Sequence, residues 1–246
     1  MTLGLKIGKC SLQGVRARND DVMRVHRTDL FQLIQLADGC CIDHLKAMAA
    51  ERAVEIIERE LVKCFEPTSL AENTKLIQHA VLQANEVLKA LNGLMNEPDE
   101  MLAATVILGL WSENHMHVCG IGNCLAYLVR TGVILPLNTK HVFYGFLSGP
   151  EYSEDDPHPG MVVELFLGGE LDGDVEVKTL PCEARDRFVF CTDGLHFDVG
   201  RESIVTHLRT EIDVQRCAER LCQQALDNGT RDNVSCIVVE VVQTAD

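Results

Sequence analysis

No run of lysine or arginine occurs anywhere in this chain, and that absence sets its first limit. The 22 Lys and Arg are outnumbered by 37 Asp and Glu, a formal charge of −15 over 246 residues. With no local basic cluster to offset it, such a surface repels nucleic acid and anionic membranes, so neither is an expected partner. No apolar run approaches a membrane span: the longest, around Ala103 to Trp111, is about half of the roughly 20 residues a crossing requires. The opening, MTLGLKIGKC, sets Lys6 and Lys9 within its apolar pattern, so a secretory leader is not expected. Also missing is any CxxC or Cys/His pair at zinc spacing, although there are 11 cysteines. Their number is odd, and Cys119, Cys191 and Cys236 sit in apolar runs where cysteine behaves as a small hydrophobe. Reduced thiols in a cytoplasmic protein are the expectation. No internal repeat, low-complexity tract or linker divides the chain, so a single domain is expected.

What is present is an ordinary apolar fraction, 46%, enough to fill a full core. Leu3, Leu5 and Ile7 alternate with polar or small residues as in a strand. After the polar segment GVRARNDD (Gly14 to Asp21) comes a short strand around Val22 to Val25. LFQLIQLADG, Leu30 to Gly39, reads as a largely buried strand that stops at an Asp-Gly pair. Asp43 is placed to cap a helix whose apolar face carries Met48, Ala49, Ile56, Leu61 and Phe65. Ser69 and Glu72 have capping-box spacing before a second helix, striped by Ile77, Val81, Ala84, Val87, Leu88 and Leu91 and ending near Gly93. Two long neighbouring helices are expected to pair and to cover a sheet.

The texture then turns to strands. AATVILGLW, MHVCGIGN, LAYLVR and VILPL, joined by SENH and Thr131-Gly132, read as an antiparallel series. Lys140 to Gly160 is irregular and long enough to suggest a functional loop. MVVELFL, VEVKTL and RFVFCT follow as strands, the last ending in Asp193-Gly194. Helices near Glu202 to Leu208 and Asp213 to Leu226 precede Asp232-Asn233 and the strand VSCIVVEVV.

On these elements Asp38 and Asp193 fall at strand ends, and Asp20 or Asp21 and Asp232 at strand starts. In antiparallel sheets one strand's end lies beside its neighbour's start, so these carboxylates can converge on one edge. Each like-charged pair at about 4 Å costs roughly 4 kcal/mol at an effective dielectric of 20. Arg16, Arg18 and Arg231 are too few to neutralise the set. Oxygen-only ligands favour hard cations such as Mg²⁺ or Mn²⁺. Taken singly, each Asp-Gly is more simply a turn; the order of the whole set is what points to a site.

That order resembles the metal-dependent Ser/Thr protein phosphatases of type 2C, in particular compact bacterial members, over nearly the whole chain. GVRARNDD is similar to the family's Arg-containing opening motif, LADG to its Asp-Gly motif and AATV to its small-residue strand start. HVCGIGNCLAYLVRTG is similar to its Gly-Asp-Ser-Arg hairpin, RFVFCTDGLHFDV to its second Asp-Gly motif and RDNVSCIVV to its closing strand. The resemblance implies an α+β fold: two antiparallel sheets packed as a central sandwich, flanked on both faces by pairs of antiparallel helices. It implies one catalytic domain over residues 1–246, with a flap at about 140–160. Asp38 would bridge two Mn²⁺ or Mg²⁺ ions, the Gly39 carbonyl would ligate one, and Asp20, Asp193 and Asp232 would complete the shell. Asp21 would orient the attacking water and Arg16 would bind the phosphate. A metal-bridging hydroxide would then attack phosphoserine or phosphothreonine of proteins phosphorylated by a Ser/Thr kinase.

Several positions depart from the family pattern. Asp20 stands where Glu is frequent, and Cys40, Cys41 and Ile42 replace the residues that usually follow Asp-Gly, so a general acid from there is not expected. Asn123 replaces an Asp, which implies that a third metal site is weakened or absent; Ala103 and Ala104 stand where Gly or Ser is frequent. His44 is expected at the surface of a helix start, His196 as a packing or hydrogen-bonding group, Cys40 as a buried inert thiol, and Glu154 to Asp156 as a solvated loop face. These departures leave open a phosphatase-like regulatory or phosphoprotein-binding protein with little turnover, and a hydrolase of small phosphate esters.

Overall fold

The computed structural model describes residues 2–40, 45–66, 69–95, 101–144, 161–171 and 175–244. Three strands, β1 (Thr2–Leu12), β2 (Asp21–Arg27) and β3 (Gln32–Gly39), precede two helices, α1 (Lys46–Cys64) and α2 (Leu70–Asn92). Four strands follow: β4 (Ala104–Ser112), β5 (His115–Ile121), β6 (Leu125–Arg130) and β7 (Val133–Pro136). The short pair β8 (Val142–Tyr144) and β9 (Met161–Val163) leads to β10 (Val177–Pro181) and β11 (Arg187–Cys191). Helices α3 (Asp193–Val199), α4 (Arg201–Thr210) and α5 (Val214–Asp227) then lead to β12 (Val234–Thr244).

Two five-stranded antiparallel sheets, ordered β1-β12-β11-β6-β7 and β10-β5-β4-β3-β2, form the sandwich. Helices α1 and α2 cover the second sheet, and α3, α4 and α5 the first. Strand β3 shows why the expected buried run reads as continuously apolar. Leu33 and Ala37 pack towards α1, whereas Ile34 and Leu36 pack between the sheets, so both of its faces are covered. Between these neighbours Gln35 is buried, its Nε2 donating to the Val54 carbonyl of α1 at 3.3 Å. Phe188, Phe190, Ile237 and Val239 complete the layer between the sheets.

Sequence expectation and structure agree at α2, where the Ser69 hydroxyl accepts from the Glu72 N–H at 3.3 Å and donates to its carboxylate at 2.8 Å. They agree again at α5, which Asp213 caps by accepting from the Arg216 N–H at 2.8 Å. Four details differ. Helix α1 begins at Lys46 behind Leu45, with no side-chain cap; Asp43 lies outside the described residues. Met48 is 41% exposed, because the face that packs is set by Ala49, Ala53, Ile56 and Ile57. The segment MVVELFL is a strand only over Met161–Val163, after which Leu167 makes an isolated bridge to Ala104. The strands from β4 to β7 are not one series: β4–β5 and β6–β7 are hairpins in different sheets, and the chain changes sheet through Gly122, Asn123 and Cys124. Two of these differences meet at the site.

Candidate functional site

The register of β2 on β3 sets Asp21 directly opposite Asp38, with Thr105 of β4 on the other side of Asp38. Asp20 immediately precedes β2. In the other sheet β11 pairs with β12 through Cys191 and Cys236, so Asp193, just past β11, comes beside Asp232, just before β12. Gly194 makes that approach possible: a Cβ there would overlap the Asn233 carbonyl and lie 3.1 Å from the Asp232 Cβ. Gly39 does the same for α1, since a Cβ there would overlap the backbone of Lys46. Both Asp-Gly pairs thus need glycine for close packing.

Polar side chains stitch the two sheet edges together. Thr192 donates from Oγ1 to Asp21 Oδ2 at 3.0 Å, across the sandwich. Asn233 accepts from the Asp20 N–H at 2.9 Å and donates from Nδ2 to the carbonyls of Gln13 and Arg18, both at 2.8 Å, holding the Gly14–Asp21 segment against β12. Arg16 Nε lies 3.1 Å from Asp232 Oδ1 and Arg18 Nε 3.8 Å from Asp20 Oδ1. Neither Thr192 nor Asn233 stood out among the acidic residues in the sequence; the only signal was that each adjoins an aspartate in CTDG and RDN.

Asp21, Asp38, Asp193 and Asp232 feel one another's charge. Burial, then the charges of Asp21, Asp193 and Asp232, drive the Asp38 carboxyl well above the ordinary range, against a smaller opposing effect of Lys46. Asp193 is pushed up to about 8 by burial and by Asp232 and Asp21, with the Gly194 N–H and Arg16 opposing. Asp21 is pushed up to about 7, chiefly by burial, while hydrogen bonds from Ser235 and Thr192 pull the other way.

The donor set suits a hard cation. It is all oxygen, and Asp20 Oδ1 is buried without a hydrogen-bond partner, an arrangement a divalent ion would relieve. Among the described residues no three carboxylate, imidazole or thiol groups already close around one point, as expected of like charges standing apart. Of the sequence-predicted residues, Asp20, Asp21, Asp38, Gly39, Asp193, Asp232 and Arg16 all lie at this edge. His196 is buried and hydrogen-bonded, as expected. Cys40 is half-buried, not the buried thiol expected, because it follows β3 at the open edge of the sandwich. Cys41, Ile42, His44 and Glu154 to Asp156 lie outside the described residues.

The fold is thus a two-sheet sandwich with helices on both outer faces and aspartates gathered at one edge. Residues 11–238 match the protein phosphatase 2C family, and the chain belongs to it. It is 27% identical over 249 aligned residues to the serine/threonine protein phosphatase PstP of Mycobacterium tuberculosis, covering 98% of this chain and 46% of that protein. The chain therefore spans about half the length of that curated relative. It is 22% identical to the serine/threonine phosphatase stp of Listeria monocytogenes, covering 92% of this chain and 91% of that protein. The solved catalytic domain of PstP in complex with two manganese ions superposes with a TM-score of 0.77 at 26% identity, over 98% of this chain and all of that one.

Proposed function

We propose that the chain hydrolyses phosphoserine and phosphothreonine in phosphorylated proteins with Mn²⁺ or Mg²⁺. The observation that carries this reading is the buried Asp38, within reach of the charges of Asp21, Asp193 and Asp232, with the Arg16 guanidinium 3.1 Å from Asp232. Asp38, Asp20, Asp193, Asp232 and the Gly39 carbonyl would hold the ions. When bound, two divalent cations lower the pKa of water and neutralise charge on a transferring phosphoryl group. Arg16 reaches the phosphate oxygens through its planar fork of donors. The Asp21 carboxylate, steadied by the Thr192 hydroxyl, accepts a hydrogen bond from the attacking water and fixes its line of approach. Water adds to phosphorus, the ester P–O bond breaks, and solvent protonates the departing serine or threonine oxygen, giving alcohol and inorganic phosphate. No side chain is phosphorylated.

The whole chain acts as one catalytic unit in this reading; most of the flap expected at 140–160 lies outside the described residues. No disulfide joins the described cysteines, which supports a reducing cytoplasm as its place of action. Among the described residues no helix is long and apolar enough to cross a membrane.

Turnover of an aryl phosphate and of phosphopeptides, measured on metal-stripped protein with Mn²⁺ or Mg²⁺ restored, tests the reading. Activity is expected only with metal, to vanish with chelator and to fall at least about 100-fold in Asp38→Asn and Asp193→Asn. Metal-independent turnover surviving in both variants would sink the mechanism. Faster turnover of small phosphate esters than of phosphopeptides would sink the substrate class.

A further inference from the structure

Arg16 sits in a turn whose backbone is held before any substrate arrives. Gly14 has φ +63°, and a Cβ there would overlap the Asp232 carbonyl, so the turn begins pressed against the start of β12. Gln13 donates from Nε2 to the Arg16 carbonyl at 2.7 Å and closes the turn from within. Asn19 donates from Nδ2 to Ser11 Oγ at 2.7 Å and accepts from the Asp21 N–H at 3.2 Å. With the Asn233 amide on the carbonyls of Gln13 and Arg18, the chain is fixed on both sides of Val15.

The side chains of this turn alternate in exposure. Arg16 is drawn inward, its Nε 3.1 Å from Asp232 Oδ1, whereas Val15 and Ala17 on either side of it are exposed. Val15, Leu94, Val133 and Ile212 are the large apolar side chains more than half exposed among the described residues, and Val15, at 73%, is the one next to a candidate site residue. Its Cα is about 3.8 Å from that of Arg16, the spacing also of consecutive residues in an extended peptide. A substrate whose phosphate lies on Arg16 therefore brings a neighbouring side chain within reach of Val15. An apolar group covering Val15 there gains by leaving water, and a turn already held pays little ordering cost on binding. A polar side chain in the same place loses water without gaining a partner.

Resting on the phosphatase reading above, we propose that Val15 is a specificity-determining residue: it contacts the substrate residue beside the phosphoserine or phosphothreonine and favours an apolar side chain there. Gln13 is a positioning residue for the same step, acting through the Arg16 carbonyl it holds.

Steady-state kinetics of the full chain with Mn²⁺ on paired phosphopeptides test this. The peptides of a pair differ only in Leu against Asn beside the phosphothreonine, placed before it in one pair and after it in the other. In one of the two pairs the unaltered chain is expected to show a KM about fivefold lower for the Leu peptide, with kcat alike. Val15→Ser brings that ratio to about 1 by raising KM for the Leu peptide, and Val15→Ile preserves it. Gln13→Ala raises KM for both peptides and leaves the ratio and kcat unchanged; a fall in kcat at constant KM would overturn its positioning role. Equal KM values within both pairs on the unaltered chain, or a Leu preference that survives in Val15→Ser, would overturn the proposal and leave the phosphatase reading standing. A dimeric chain that Val15→Ser renders monomeric would also overturn it, by assigning Val15 to contact between copies. No turnover of any of the peptides would overturn both.

Discussion

A carboxyl group buried among other carboxylates keeps its proton to a higher pH than the same group in an unfolded chain, and that difference has a sign. Asp193 is pushed up to about 8 and Asp21 to about 7, against an ordinary value near 4 when unfolded. Below about pH 4 these groups are protonated in both states and cost nothing. Between about pH 4 and 8 the folded protein binds protons that the unfolded chain has released, so raising the pH destabilises the fold. The metal-stripped protein is therefore expected to melt at progressively lower temperature from about pH 5 to about pH 8.5, with Mn²⁺ restoring stability most at the alkaline end. Calorimetric scans across that window check it; a melting temperature that rises through pH 7 and 8 would contradict the assignment of these carboxylates.

Helix α1 reaches the site through a contact with no room to spare. Its first residue, Lys46, packs its backbone on Gly39, one residue beyond Asp38. Any side chain at Gly39 must push α1 away from β3 or bend the strand end. Gly39→Ala is expected to cost about 1 to 3 kcal/mol in urea unfolding, as overpacking does, and to weaken Mn²⁺ binding because the Asp38 carboxylate moves with the strand. Unchanged stability would show that α1 can shift freely. Helix α3 serves the opposite edge. Its seven residues are too short for a helical period to show in the sequence, yet Asp193, Gly194, Leu195, His196 and Val199 are all buried in it, and it carries both a candidate ligand and His196, whose Nε2 donates to the Asn123 carbonyl.

The sandwich as a whole separates the site from a buried ion pair at its other end. At the end of β11 away from Asp193, Arg130 donates from Nε and a terminal nitrogen to the two oxygens of Asp186 at 2.7 and 2.6 Å. Asp186 is 1% exposed and also accepts from the Glu183 N–H at 2.7 Å. Arg130→Ala would leave that carboxylate buried without its cation, an expected loss of about 3 kcal/mol or more in denaturant unfolding. Turnover per folded molecule at saturating Mn²⁺ should stay within about twofold, because β11 separates the pair from the site by about 17 Å at strand spacing. A selective collapse of kcat would show that the two ends of the sheet are coupled.

Local chemistry was legible wherever a residue's role depends on neighbours a few positions away. The Ser69 and Glu72 cap, the stripe of α2, the Asp213 cap of α5 and the buried run before Asp38 all belong to that kind. No capping side chain hydrogen-bonds at the start of α1, and Met48 is 41% exposed because small alanines, not the largest apolar residues, set the packed face. The aspartates themselves, and their places at strand ends, were determined by the sequence alone. Their assembly was not. Thr192 meets Asp21 across 171 positions of chain, and Asn123 meets Asp193 across 70. Only the crossing between sheets at Gly122–Cys124 and the pairing of β11 with β12 decide those meetings, because a hydrogen bond between distant segments exists only once the sheets that carry them have packed.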